Sequence, residues 1–329
     1  MDDVLGDKNE FDFSNLSQSD AWLMLLYFVL QKTHEDLELW EEYSGRLLYK
    51  ERFSSDHQII TAIRENKNQA MKQIPKGEIF YRARRYNDDN TEKVIDYVLK
   101  ASGKTDEEIR AIKEAVPSYF REMLVMPQLY LSMNQIGDSE QADRAEELFE
   151  AWEKWRKRVR FKGYNKKNSS APSNDKITEG RGNPAFIRYL YLSEDSITPI
   201  YEVRPQIGDQ VSVAQFKCNK DLVIYDLTGT TEMKDNPVNP ENYSLFNTIA
   251  KMFSEPGSGQ KDYLPTQFIV EEIKRLGFDG VRYNSSLYAQ GKNIVLFNPD
   301  DCDAVSSDLV EITGIHIDFK DPYDYGIKS

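Results

Sequence analysis

Residues 180–216, GRGNPAFIRYLYLSEDSITPIYEVRPQIGDQVSVAQF, leave this chain few choices of fold. The stretch opens on a Gly-Arg-Gly-Asn-Pro turn that no regular element can absorb. Three short runs rich in β-branched and aromatic residues follow, at 186–192, 198–203 and 210–216, with polar turns at 193–196 and 205–209 between them. That pattern predicts three consecutive strands. Strict alternation in the second run puts Ile200, Glu202 and Arg204 on one face and Tyr201 and Val203 on the other. A mid-strand carboxylate among apolar neighbours is costly unless something pairs with it or uses it, which makes Glu202 the first chemical clue.

On either side of this stretch the texture alternates. Residues 20–50 keep Leu23, Leu26, Tyr27, Leu30, Leu37 and Trp40 at helical spacing, with Ser17, Ser19 or Asp20 as the cap. A second helix is expected over 56–74, closed by Pro75. The run EIFYRARR at 78–85 predicts the first strand, with Arg82 and Arg84 on one face. Thr105 and Glu108 form a capping-box pattern, and 138–161 reads as an amphipathic helix ending in a basic run. Residues 163–179, rich in Asn, Ser and Lys, read as a flexible loop. Farther on come a strand at 221–228 and helices at 242–254 and 264–276, with Pro265 in the first turn and Gly277 as the C-cap of the second. Strands at 278–286 and 293–297 follow. The fold class is therefore α+β. It divides into a helical N-terminal module over 1–75 and a domain over 76–329 that carries a helical insertion at about 87–179.

Composition narrows the function. A net charge of −13 opposes general binding to nucleic acid or to an anionic membrane, while leaving room for one small anion in a basic pocket. The apolar run 21–30 is about half a membrane span and is expected to be the buried face of a helix. An acidic N-terminus, only two cysteines (Cys218 and Cys302) and three histidines point to a reducing cytoplasm and to no metal site.

Four stretches join polar groups to pocket-like neighbours: FYRARRY at 80–86, GRGNP at 180–184, YEVRP at 201–205 and RYNSS at 282–286. Arginine suits phosphate because its planar fork donates two parallel hydrogen bonds and keeps its charge. A carboxylate facing a sugar can hold ribose hydroxyls and stabilise positive charge at the anomeric carbon. No Walker loop, HExxH motif, CxxC motif or paired-carboxylate pattern is present.

These four stretches, in this order and ahead of a closing NIVLF strand, resemble the RES-domain family, whose name records an Arg, a Glu and a Ser. The resemblance covers 79–85 and 179–305 and implies a fold like that of the ADP-ribosyltransferase toxins. It also implies breakdown of NAD, in several members as a toxin paired with an antitoxin. Position by position, it makes Arg82, Glu202 and Ser285 the catalytic residues, with the adjacent Ser286 open as an alternative for Ser285. Arg84, Arg181 and Asn183 would help to bind the dinucleotide, and Tyr86 or Tyr283 would stack on a ring. NAD is then a substrate, a protein antitoxin or regulator is a partner, and homo-oligomerisation stays open. The extra N-terminal module and the long insertion depart from the family pattern.

Alternatives stand beside this reading. Glu202 and Arg204 would be worth under ~1 kcal/mol as a mere surface ion pair. Two further readings are transfer of ADP-ribose to a protein and binding of the nucleotide without turnover. Arg52 and His57 have an R-x4-H spacing known from ribonucleases, although a surface helix start explains that pair more simply.

Overall fold

The computed structural model describes residues 18–52, 56–87, 100, 103–115, 160–229, 242–257 and 259–316. In chain order its elements are α1 (Gln18–Tyr49), α2 (Gln58–Glu65), β1 (Met71–Ile74), β2 (Ile79–Arg85), α3 (Asp106–Ala115), α4 (Lys166–Ser169) and β3 (Leu190–Ser193). There follow α5 (Thr198–Glu202), β4 (Gln210–Cys218), β5 (Leu222–Leu227), α6 (Tyr243–Ser254), α7 (Gln260–Arg275), β6 (Gly280–Asn284), β7 (Lys292–Leu296) and β8 (Cys302–Glu311). The class is α+β, as the sequence predicts.

The chain forms two units, one of residues 1–74, 173–189 and 222–297, the other of the remainder. In the first, β1 pairs antiparallel with β5, β5 parallel with β6, and β6 antiparallel with β7. Helices α6 and α7 fill the crossover that a parallel β5–β6 pair requires. The core is apolar where these layers meet: Ile59, Ile60 and Ile63 of α2, Leu222 and Ile224 of β5, Phe246, Ile249 and Phe253 of α6, and Ile269 and Ile273 of α7. Gly280 is required there, because a Cβ would sit 2.3 Å from the Val295 carbonyl oxygen. Gly277, with φ +91°, closes α7 in the left-handed conformation that glycine tolerates best.

In the second unit β2 pairs antiparallel with both β3 and β4, and β4 with β8. Tyr81, Ala83, Val211 and Val213 share one face of β2 and β4, and Ile200 and Val203 pack against it. Arg82, Arg84 and Ser212 take the opposite face by alternation. Cys218 and Cys302 are register partners, buried, with sulfurs 3.0 Å apart. The Thr105–Glu108 capping box forms as expected: the Thr105 N–H donates to Glu108 Oε2 (2.8 Å) and the Glu108 N–H to Thr105 Oγ1 (3.3 Å).

Several expectations are overturned. Residues 198–202 form a helix rather than a strand. The Asp195 carboxylate accepts from the Ile197 N–H (2.8 Å), the Thr198 N–H (2.7 Å) and the Thr198 hydroxyl, and Pro199 presets the first turn. Helical spacing then seats Ile200 and Val203 on one surface, and Glu202 is an exposed residue at the helix end rather than a mid-strand carboxylate. The helix expected over 56–74 stops at Glu65, where the Asn66 backbone and side chain both donate to the Ala62 carbonyl, and 71–74 becomes strand by pairing with β5. The strand expected at 186–192 is confined to Leu190–Ser193, since Phe186 has φ +69°. Pro265 lies inside α7, which begins at Gln260, not in its first turn.

Residues 163–170 are not a loose loop. The Tyr164 N–H donates to Ser212 Oγ (2.9 Å), and the Ser307 and Ser169 hydroxyls both donate to the Tyr164 carbonyl. The apolar run of α1 is not a buried face either. Trp22, Leu23, Leu25, Leu26, Tyr27, Phe28, Val29 and Leu30 are each 52–65% exposed, while Trp40, Tyr43 and Leu47 farther along the same helix are buried. Apolar side chains point every way around 22–30, so one packed neighbour cannot bury all of them at once. Among the described residues no helix is long and apolar enough to cross a membrane. Most of the helix expected at 138–161 lies outside the described residues.

Candidate functional site

Strand β2 sets out the cationic part of the site. Alternation puts the Arg82 and Arg84 side chains together on one face, where α4 ends against them. Arg82 Nη1 donates to the carbonyls of Ser169 (2.6 Å) and Ser170 (3.0 Å). Arg84 donates to the carbonyls of Asn168 (2.6 Å) and Ser170 (2.7 Å). Carbonyls at a helix C-terminus carry partial negative charge, which makes them good partners for guanidinium groups. Among the described residues no carboxylate pairs with either arginine. Burial, and then the neighbouring Arg84 cation, pushes Arg82 down to about 9; burial also lowers Arg84. Two cations thus share one half-buried place where, among the described residues, neutral oxygens answer them, an arrangement that favours an anion. The Tyr86 ring is buried against Tyr164, 4.9 Å between centroids.

Glu202 stands elsewhere in the same unit. Its helix, α5, packs on the Ala83–Val213 face of β2, opposite Arg82 and Arg84. The strand arginine that meets this helix is Arg85, which donates to the carbonyls of Val203 and Arg204. Sequence reasoning passed over Arg85, although alternation along FYRARRY already sets it on the face away from Arg82.

The other four candidates belong to the first unit. Arg181 donates to the carbonyls of Phe253 and Glu255, closing the C-terminus of α6, and its guanidinium lies 5.8 Å over the Tyr283 ring. Tyr283 is buried edge-on to Phe253. The Asn183 side chain donates to the carbonyls of Thr178 and Pro184, while Gln267 donates to those of Gly180 and Asn183. The Gly-Arg-Gly-Asn-Pro turn is thereby fastened to α7. Ser285 is buried, its hydroxyl oxygen accepting the N–H groups of Leu287 and Tyr288 at 3.2 Å each. Ser286, by contrast, lines a cavity of about 510 Å³ with Thr228, Asn247, Lys251, Ser254 and Asn284. Asn247 and Lys251 sit one helical turn apart on α6, a polar pair that the sequence reading did not single out.

Beneath this cavity is a buried pair, also missed. Arg282 Nη1 donates to Asp226 Oδ2 (2.9 Å), and Asp226 Oδ1 accepts from the Thr228 N–H and hydroxyl. The two are register partners in the parallel β5–β6 pair, and one charged residue inside each of two apolar runs was the available signal. The ribonuclease alternative loses its histidine. His57 is buried against Tyr43, caps α2 by accepting the Ile59 N–H, and burial lowers its pKa. That is a structural helix start, inside the protein rather than on its surface.

A family model described as RES domain matches residues 155–320, half of the chain. The span includes Arg181, Asn183, Glu202, Tyr283 and Ser285, but not Arg82, Arg84 or Tyr86. No curated protein matches the sequence. Among solved structures, a chain of the M. tuberculosis MbcT-MbcA toxin–antitoxin complex is similar over 43% of this chain and 76% of its own, with 14% identity and a TM-score of 0.29. That likeness is too slight to bear on fold or function.

Proposed function

Because this chain belongs to the RES-domain family, we propose that it degrades NAD by cleaving the bond between nicotinamide and ribose, and that it acts as a toxin or defence effector held in check by a protein antitoxin. The observation that carries this reading is the Arg82–Arg84 pair, two half-buried arginines on one strand face that donate to backbone carbonyl oxygens and, among the described residues, meet no carboxylate. A dinucleotide's diphosphate is the ligand such a pair is built to exchange for those carbonyls.

The chemistry asks for little proton transfer. Nicotinamide leaves a cationic ring as a neutral molecule, and the glycosidic electron pair goes with it. What the protein must supply is stabilisation of an oxocarbenium-like transition state. Arg82 and Arg84 hold the diphosphate in this account. Glu202 holds the hydroxyls of the nicotinamide ribose and faces the developing charge. Tyr86 shapes the surroundings in the same unit, and the part given to Ser285, Arg181, Asn183 and Tyr283, which belong to the other unit, rests on the family resemblance. Since α5 packs on the other face of β2, one NAD must pass the end of that strand to engage both Arg82 and Glu202. No metal is called for at any step.

The test is product analysis after incubating the purified chain with NAD, with and without phosphate. Free nicotinamide with ADP-ribose identifies water as acceptor. ADP-ribose 1″-phosphate identifies phosphate, and label on a polypeptide identifies transfer to protein. NAD that binds in a calorimeter and is recovered intact would reduce the chain to a binding module and overturn the enzymatic reading.

A further inference from the structure

The exposed half of α1 stands outside everything described so far. Eight large apolar side chains between Trp22 and Leu30 are more than half exposed, in a helix whose later turns are anchored by Trp40, Tyr43 and Leu47. Trp22, Leu26 and Val29 form one seam at the four-three spacing of helix packing, and Leu23, Tyr27 and Leu30 form a second beside it. At roughly 100 Å² for each side chain, this is on the order of 800 Å² of apolar surface, well above what a monomer usually leaves bare and about one partner's share of a standard interface.

We propose that a second copy of this chain covers it, so that the protein is a two-fold dimer with α1 of each protomer packed along the other. Charge decides between occupants. The chain as a whole carries −13, yet residues 21–31 contain no charged side chain, so two copies can meet here without the repulsion that opposes them elsewhere. A membrane surface fits poorly. Interfacial helices carry Lys and Arg on their polar face, whereas the turns that follow here expose Glu35 and Glu38 with a single Lys32. The two seams present a self-complementary surface to a two-fold axis, with Leu26 near its centre.

Sedimentation velocity on the full chain over roughly 1–100 µM tests this, because mass action makes a dimer dilution-sensitive. Wild type is expected to sediment as a dimer, Leu26→Glu and the double variant Leu23→Glu/Leu30→Glu as monomers at least ten-fold weaker in association, and Leu26→Met as a dimer. The substituted positions are exposed, so circular dichroism and thermal midpoint should stay at the wild-type values. A wild-type monomer throughout the range overturns the proposal, as does a dimer indifferent to both charge variants. So does a monomer that floats with vesicles of zwitterionic and anionic lipid, or one whose α1 amides are already protected from hydrogen exchange by another segment of the same chain. Nicotinamide release plays no part in these readouts, so the outcome is independent of the NAD reading.

Discussion

Arg82 is the residue on which the site's electrostatics turn. Its guanidinium is costly where it lies: burial and the Arg84 cation both work against the charge, and four hydrogen bonds from the pair to backbone carbonyls offset the cost. Arg82→Ala should therefore lower kcat/KM for NAD by about 100-fold, the usual effect of removing one pre-placed donor from developing or bound charge. Arg82→Lys should recover little of it, because an ammonium cannot fork between two oxygens. Steady-state kinetics on both variants, with folding checked by circular dichroism, decides the matter. Asp226 is the counter-case, a carboxylate that serves stability. Asp226→Asn takes the paired carboxylate away from buried Arg282, and should cost about 3–5 kcal/mol in urea unfolding. Replacing the pair together, as Asp226→Leu with Arg282→Met, should restore most of that loss.

Among the elements, the α2–α7 clasp gives a prediction with a sign. Glu272 is buried and accepts from Arg64 Nε (2.7 Å) and Arg275 Nη1 (3.2 Å). The Arg64 hydrogen bond, against the opposing effect of burial, holds its carboxyl below the ordinary 4.5. A depressed carboxylate contributes stability that is fully present above its unfolded pKa and is lost as pH falls through the folded one. Glu272→Gln should thus cost about 1–3 kcal/mol at neutral pH. Denaturant midpoints measured from pH 7 downward should show the gap from wild type closing only below 4.5.

The same elements show what a sequence can and cannot announce. Strands β2, β4, β5, β6 and β7 were legible because their apolar runs and bounding turns lie within one short window. The capping box at Thr105 and the glycine stop at Gly277 were legible because each is a local device. Helix α5 was not, since its alternation-like run TPIYEV is governed by one carboxylate at Asp195, just outside it. Strand β1 was not, because its partner β5 lies some 150 residues on. Of the site, the shared face of Arg82 and Arg84 could be read from period two. The α4 carbonyls that meet them, and the face on which Glu202 arrives, depend on packing that no local pattern encodes.

For the whole molecule, a family match over half the chain, an arginine pair on one strand face and a fold of the expected class all bear on one proposal, that this protein breaks NAD. The family span reaches Glu202 and Ser285 but not Arg82 or Arg84, whose part rests on the YRAR resemblance and on their hydrogen-bond geometry. The most direct trial follows nicotinamide release from NAD by the purified wild-type chain beside Glu202→Ala, with NAD in excess and time enough for many turnovers. The account predicts steady release by wild type and a rate at least about 100-fold lower for the variant at unchanged stability. Intact NAD in both samples, or equal rates from the two, would contradict it.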